Sequence, residues 1–252
     1  MTTAPARTSL AALDGLPFVD DGFASTRLLA IVAAVRHVDA ERRGLAEGID
    51  ADAGQIDAWL APSRAFMLNA GSTPMPALPL ASARNQLITD VLAGLAAGLP
   101  PWAPLLRLPV RYALLHPAGG AISASSRDWP QHVLLAEAAF RTSRELREQL
   151  IHELAHQWLY LIEDIWPLQV PAAATVTLPS GTRDRSPAEV LGAAHVAAAL
   201  LRLYRPAATP WAASRARDLA AYGTGCLELA GTLSSDLTEA GHRIAHRLKE
   251  AL

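Results

Sequence analysis

One helical segment constrains the fold of this chain more than any other part. Thr142 and Glu145 form the pattern T-x-x-E, a capping box that begins a helix. Apolar residues follow at helical spacing, so a helix is predicted over residues 143–164. The stretch "LIHELAHQWL", residues 150–159, lies in its middle and contains the pattern H-E-x-x-H. Any fold must therefore accommodate two imidazoles and a carboxylate within a largely apolar helix.

The spacing of these polar residues is typical of a metal site. His152 and His156 are four residues apart, so their imidazoles lie on one face of the helix and can bind one ion. The Glu153 carboxylate lies about 100° further round the helix and can reach the open side of that ion. The alternative is a pair of ordinary core or surface histidines. Buried polar groups need partners, which favours the metal site.

A third protein ligand is expected from the next helix, where two residues are candidates. Ser186 and Glu189 form a second capping box, with Pro187 in the first turn, and predict a helix that ends near Tyr204. Glu189 would suit a zinc peptidase that takes a glutamate from a downstream helix, although the capping box alone explains it. His195 lies in the apolar run "LGAAHVAAALL" without an evident partner. The two residues face different sides of the helix, so we expect one ligand and favour His195.

The rest of the sequence predicts further helices and a few strands. The spacing of apolar residues predicts helices over 22–43, 53–68, 82–97, 211–231 and 235–251. Strands are predicted in "LPVRYALLHP", "AISAS" and "QHVLLAEAAF", the last of which could instead be helical, and one short strand at Thr175–Leu178. Connectors rich in proline and glycine, such as "NAGSTPMPALP", separate these elements.

These elements predict an α+β fold that is predominantly helical. We expect a small antiparallel sheet packed against the H-E-x-x-H helix, in a zincin-like arrangement. A helical N-terminal region would cover residues 1–104, and a metal-binding catalytic region residues 105–252. The length of 252 residues allows both regions to form one compact unit.

Composition excludes several classes of function. The formal net charge is −2, so no strong basic field attracts nucleic acid. Cys226 is the only cysteine, which excludes an internal disulfide, a multi-thiolate zinc site and an iron–sulfur cluster. We find no secretion signal and no apolar run of about 18 residues, so no membrane span is expected. A cytoplasmic protein is predicted.

The motif helix and the segment after it resemble a known family. The stretches "LIHELAHQWLYL" and "SGTRDRSPAEVLGAAHVAAALLRLY" are similar to the HExxH-type 2-oxoglutarate-dependent peptide β-hydroxylases, which modify ribosomally made peptides after translation. The resemblance covers roughly residues 105–205 and includes the upstream stretch "HPAGGAISASSRDWP". The family commonly has P-W-R where this chain has Ser180-Gly-Thr-Arg183, and a slightly shorter spacing from the proline to its third histidine.

The resemblance implies an oxidoreductase, a dioxygenase with iron(II) and 2-oxoglutarate as cofactors. It would hydroxylate a β-carbon of a peptide substrate, with a leader peptide or a carrier protein as an expected partner. The resemblance assigns His152, His156 and His195 to the iron. The dianion 2-oxoglutarate requires a guanidinium, so Arg183 or Arg185 is expected to bind it.

A zinc metallopeptidase of the gluzincin type is the alternative. His152, His156 and Glu189 would then bind zinc, and Glu153 would be the general base that activates water. In the oxygenase, Glu153 would instead lie beside the metal as a weak or indirect partner. A binding module with a vestigial metal site is a further, weaker alternative.

Overall fold

The computed structural model describes residues 10–45, 56–69, 71, 73–207 and 209–252. Its helices are α1 (Ser25–Arg42), α2 (Ile56–Trp59), α3 (Pro62–Asn69), α4 (Ser82–Gly98), α5 (Ser143–Ile165), α6 (Pro187–Tyr204), α7 (Pro210–Thr232) and α8 (Glu239–Ala251). Its strands are β1 (Ala77–Leu78), β2 (Arg111–Leu115), β3 (Ser123–Ala124) and β4 (His132–Leu135). The fold is α+β and predominantly helical, as predicted.

The four strands form one sheet in the order β1-β2-β4-β3, which leaves β3 at an edge. The prediction of an antiparallel sheet was wrong in part, because β2 and β4 are parallel. The chain reverses direction into β3 and reverses again into β4, so β4 runs in the direction of β2 and pairs with it. Strand β1 pairs antiparallel with β2. It lies in a segment that was predicted to be a connector, because a strand of two residues is too short to show a periodicity in the sequence.

Helix α5 lies at the centre of the fold and begins where the capping box predicts. The Thr142 side chain accepts a hydrogen bond from the Glu145 backbone N–H at 3.1 Å. The apolar stripe that contains Leu146, Leu150 and Leu154 is fully buried. Through this stripe and its flanks α5 packs against α1, α4, α6 and the strands β3 and β4. A zincin-like arrangement around this helix stays a prediction.

Helix α6 also confirms its start signal. The Ser186 side chain accepts from the Glu189 backbone N–H, and the Glu189 carboxylate accepts from the Ser186 N–H. The helix packs between α5 and α7 and is almost entirely buried. Its burial explains its composition, because small and apolar residues allow close approach on both sides.

Three predicted elements differ from the structure. The helix predicted over 53–68 is divided into two short helices, α2 and α3, and the second begins at Pro62. Residues 53–55 of this prediction lie outside the described part of the chain. The stretch 131–140 combines both alternatives, because β4 is followed by a 3₁₀ helix at Glu137–Phe140. The strand predicted at Thr175–Leu178 is wrong, since only one bridge forms there, between Val176 and Arg185.

The hydrophobic core joins the N-terminal region to the motif helix. The Phe23 ring meets the Trp158 ring of α5 edge-on, with 5.8 Å between the ring centroids. Phe18 and Trp102 meet in the same way at 5.1 Å. The core cluster that contains all four rings also includes residues of α6, α7 and α8. None of the helices in the described part of the chain is long and apolar enough to cross a membrane.

Two helical glycines predict opposite effects of the same substitution. A Cβ added to Gly94 of α4 would meet nothing within 4 Å. Gly94→Ala should therefore raise the free energy of unfolding by about 0.5–1 kcal/mol, because alanine favours the helix. A Cβ added to Gly241 of α8 would lie 2.2 Å from the Leu168 carbonyl oxygen. Gly241→Ala should therefore lower the free energy of unfolding by about 2 kcal/mol or more. Urea denaturation measures both changes, and equal effects would contradict the packing described.

Candidate metal centre

A cavity of about 940 Å³ opens beside α5 and is also bordered by α6, α7 and the edge strand β3. The side chains His152, Glu153 and His156 all line it. Glu189 of α6 lines it as well, whereas His195 does not. The structure therefore brings the three residues of the motif together with one of the two candidate third ligands.

The two motif histidines are adjacent and suited to binding a cation. Their ring centroids are 5.1 Å apart, and the His152 side chain is 38 % exposed. The pKa of His156 is held well below its ordinary value, first by desolvation within the protein and then by neighbouring cationic groups. His156 is therefore neutral near pH 7, which leaves a nitrogen lone pair for a metal.

The ring of His156 is held between a glycine and a tyrosine. A Cβ added to Gly192 of α6 would lie 3.4 Å from His156 Nδ1, so the absence of a side chain there lets α6 approach the ring. The Tyr160 ring stacks against His156, with 6.0 Å between centroids and 17° between planes. Burial raises the pKa of Tyr160, so its hydroxyl stays protonated. These contacts restrict the orientation of the imidazole.

Glu153 has one carboxylate oxygen bound and one without a partner. The Ser123 hydroxyl of β3 lies 2.5 Å from Glu153 Oε1 and donates to it. His152 Nε2 lies 3.9 Å from the same oxygen. Glu153 is 2 % exposed, and its Oε2 has no hydrogen-bond partner among the described residues. An unpaired buried carboxylate oxygen beside two imidazoles fits a bound cation or water, because such a group is otherwise costly.

His195 lies in the core of the protein and is not part of the cavity wall. It is fully buried, and its Nε2 donates to the Pro17 carbonyl oxygen at 2.7 Å. Burial lowers its pKa to about 4, although the Pro17 hydrogen bond opposes this effect. His195 therefore fastens the N-terminal segment to α6. It does not line the cavity, but it lies near enough to His156 to contribute to the lowering of that residue's pKa, and its Nδ1 has no hydrogen-bond partner among the described residues.

Glu189 lies at the cavity wall but is held by local partners. It accepts from the Ser186 N–H at 2.9 Å and from the Arg185 guanidinium. Burial raises the pKa of Glu189, but these hydrogen bonds outweigh it and lower the pKa below its ordinary value. Across the described ranges, no three His, Cys, Asp or Glu side chains form a group arranged to hold a metal ion. The two imidazoles fit a metal, but the described residues bring no third ligand to them.

The two candidate arginines differ in position. Arg185 lines the cavity, whereas Arg183 is exposed and lies outside the cavity wall. A third arginine, Arg127, lines the cavity and forms an ion pair with Glu163 at 2.7 Å. Burial raises the pKa of Glu163, and the Arg127 charge opposes that rise. Arg185 is therefore the one of the two expected guanidiniums that lies beside the histidines.

Several cavity residues were missed by the sequence analysis. Tyr160 and Glu163 follow His156 at four and seven positions, so helical spacing was a signal that could have found them. Ser123 and Arg127 come from the strand β3 and the segment after it. Their positions depend on tertiary packing, for which the sequence contains no local signal.

The burial of His195 predicts a pH dependence of stability. An unfolded histidine binds a proton below about pH 6.5, whereas folded His195 resists protonation until about pH 4. The unfolded state therefore binds more protons in this window, and the free energy of unfolding should fall by up to about 3 kcal/mol as the pH drops through it. Urea denaturation at several pH values should show a smaller fall for His195→Gln. An identical fall in both proteins would contradict this assignment.

Comparison with known proteins adds no family to this description. No protein-family model matches the chain, and no curated protein matches it significantly. Inference about function therefore depends on the residues of the cavity and on the resemblance in the motif region.

Proposed function

We propose that this chain is an iron(II)- and 2-oxoglutarate-dependent oxygenase that hydroxylates a β-carbon in a peptide. The observation that carries the proposal is the Arg185–Glu189 ion pair in the cavity of the histidine pair. Opening this pair would free the two groups that such an enzyme needs, a carboxylate for the metal and a guanidinium for the dianionic cosubstrate. Each side chain is 42 % exposed, and an exposed ion pair stabilises a protein by only about 0–1 kcal/mol.

The proposed metal ligands are His152, His156 and Glu189. Two imidazoles and one carboxylate are the common ligand set of non-haem iron(II) oxygenases, and they leave positions open for other ligands. Glu189 takes the place that the resemblance gave to His195, because Glu189 lines the cavity and His195 does not. When bound, the iron would supply the activation of oxygen.

The other cavity residues have separate proposed roles. Arg185 would bind the distal carboxylate of 2-oxoglutarate through paired hydrogen bonds. Ser123 holds one oxygen of Glu153, so the free oxygen stays available to a ligand in the cavity. The peptide would enter along β3, because an edge strand offers unpaired backbone groups to an extended chain. We also propose a cytoplasmic location, since a single cysteine leaves no internal disulfide.

Turnover of the cosubstrate tests the proposal without the natural peptide. The purified protein is incubated with iron(II), ascorbate, oxygen and 2-oxoglutarate, and succinate is measured by mass spectrometry. We expect slow succinate formation that is lost in His156→Ala. An iron-loaded protein that shows no specific binding of 2-oxoglutarate and forms no succinate would contradict the proposal.

A zinc peptidase is a second candidate, favoured by the free Glu153 Oε2 in the same cavity. Glu153 would then accept a proton from the attacking water, and the same three ligands would hold zinc. A zinc-loaded protein incubated with a mixture of peptides distinguishes the two reactions. Cleavage that is lost in Glu153→Gln would establish the peptidase and overturn the oxygenase. Cleavage that is equal in both proteins would exclude Glu153 as the base.

A further inference from the structure

We propose that the peptide substrate carries a segment of acidic and apolar residues that docks at the N-terminal end of α5. This inference deepens the proposed function and rests on it. The docking site, called here the Arg144 groove, consists of two surface depressions of about 420 and 490 Å³ that share Arg147, Leu203 and Ala207. Besides these three residues, the groove is defined by Arg144, Trp211, Gly94 and Gly98.

The groove has positive charge that the described part of the chain does not neutralise. Arg144 and Arg147 are exposed, and neither forms an ion pair with a carboxylate of the described residues. By contrast, the cavity arginines Arg185 and Arg215 pair with Glu189 and Glu148. Guanidiniums that have no carboxylate partner and lie beside a depression favour a ligand that has carboxylates.

The groove also has an apolar surface suited to a side-chain anchor. The Trp211 ring is 41 % exposed, and the Arg144 guanidinium lies over it at 4.0 Å from the ring centroid. On the far side, a Cβ added to Gly94 or Gly98 of α4 would meet nothing within 4 Å. An exposed tryptophan beside open space is typical of an interaction surface, because tryptophan and arginine dominate binding energy at interfaces.

The groove and the cavity follow one another along a single face of α5. Arg144, Glu148 and His152 are each four residues apart, so they lie on that face. Glu148 stands between them. It accepts from the Tyr204 hydroxyl, which lines the groove, at 2.6 Å, and from Arg215 Nε, which lines the cavity, at 3.1 Å.

This position on the same helix face as His152 is the reason to assign the groove to the substrate rather than to a separate partner. Eight helical residues from Arg144 to His152 span about 12 Å, which is the length of roughly four extended peptide residues. The acidic and apolar residues should therefore lie about four positions from the residue that reacts.

Selection from a library of random displayed peptides tests the inference. The iron-loaded protein with 2-oxoglutarate is the target, and recovered peptides are sequenced and measured by fluorescence anisotropy. We expect enrichment of Asp and Glu with large apolar residues. Binding should weaken by about tenfold or more in the double variant Arg144→Glu, Arg147→Glu. The exposed Lys249→Glu variant on α8 is the matched control and should bind as wild type does.

A steric variant provides an independent measurement. Gly94→Leu would place a bulky side chain in the groove, starting from a Cβ position with nothing within 4 Å. Leucine is a good helix former, so we expect the fold to be retained. Weakened peptide binding in Gly94→Leu supports the inference. Selection without acidic enrichment, or binding unchanged in both groove variants, overturns it.

Metal and cosubstrate binding separate this inference from the proposed function. Both groove variants should bind iron(II) and 2-oxoglutarate as wild type does, because neither changes the cavity. Acidic selection by a protein that forms no succinate would support the groove and count against the oxygenase. Succinate formation without acidic selection would overturn the groove alone.

Discussion

Replacing His156 with alanine is expected to abolish metal binding by this chain. His156 is one of two imidazoles in the cavity, and its ring is held by Gly192 and Tyr160. Loss of an outer partner of a ligand already lowers metal affinity by about 10- to 100-fold. Loss of the ligand itself should lower it by at least about a hundredfold. Titration calorimetry with zinc, and cobalt(II) absorption, measure the change.

Two histidine variants serve as controls for this prediction. His195→Gln should retain metal affinity within about threefold, because His195 binds Pro17 and does not line the cavity. His246→Ala removes a histidine that is 78 % exposed on α8 and should have no effect. If His195→Gln loses metal binding as completely as His156→Ala, the ligand set given by the resemblance is right and Glu189 is not the third ligand.

Replacing Arg185 with alanine is expected to separate cosubstrate binding from metal binding. A bidentate guanidinium–carboxylate contact has charge-assisted hydrogen bonds, each worth about 1.5–3 kcal/mol. The two bonds together are worth about 3–6 kcal/mol, so the affinity for 2-oxoglutarate should fall by at least about a hundredfold. Metal affinity should stay the same or rise, because Glu189 loses the partner that holds it. Calorimetric titration of the metal-loaded protein with 2-oxoglutarate measures the first effect.

The matched variant is Arg183→Ala. Arg183 is exposed and lies outside the cavity wall, so this variant should bind 2-oxoglutarate as wild type does. Comparison of the Arg185→Ala and Arg183→Ala variants shows which arginine of the segment before α6 binds 2-oxoglutarate. Equal affinities in wild type and Arg185→Ala would contradict the proposed role of Arg185.

Local signals in the sequence predicted the elements that form the site. The patterns at Thr142 and Ser186 predicted the starts of α5 and α6, because a cap depends on residues three positions apart. Ser186 forms the full capping box, whereas Thr142 forms the side-chain cap to the Glu145 N–H. The adjacency of His152 and His156 followed from helical spacing in the same way. Arg185 and Glu189 are also four positions apart, so their ion pair was visible in principle.

Contacts between distant segments decided what the sequence could not show. His195 had no evident partner in its helix, and its partner Pro17 is separated from it by 178 positions. The Ser123–Glu153 hydrogen bond likewise depends on where the edge strand lies. The sheet order depends on a parallel pairing of β2 and β4 that short strands do not encode locally. Which candidate third ligand lines the cavity was therefore a question of tertiary structure.

The most direct test of the account is a titration of the iron(II)-loaded protein with 2-oxoglutarate in the absence of oxygen. Binding of 2-oxoglutarate to iron(II) gives a visible charge-transfer absorption band. We predict that the band appears in wild type, is absent in His156→Ala and is weakened in Arg185→Ala. A protein that binds zinc tightly through His152 and His156 but shows no band at any 2-oxoglutarate concentration would contradict the oxygenase.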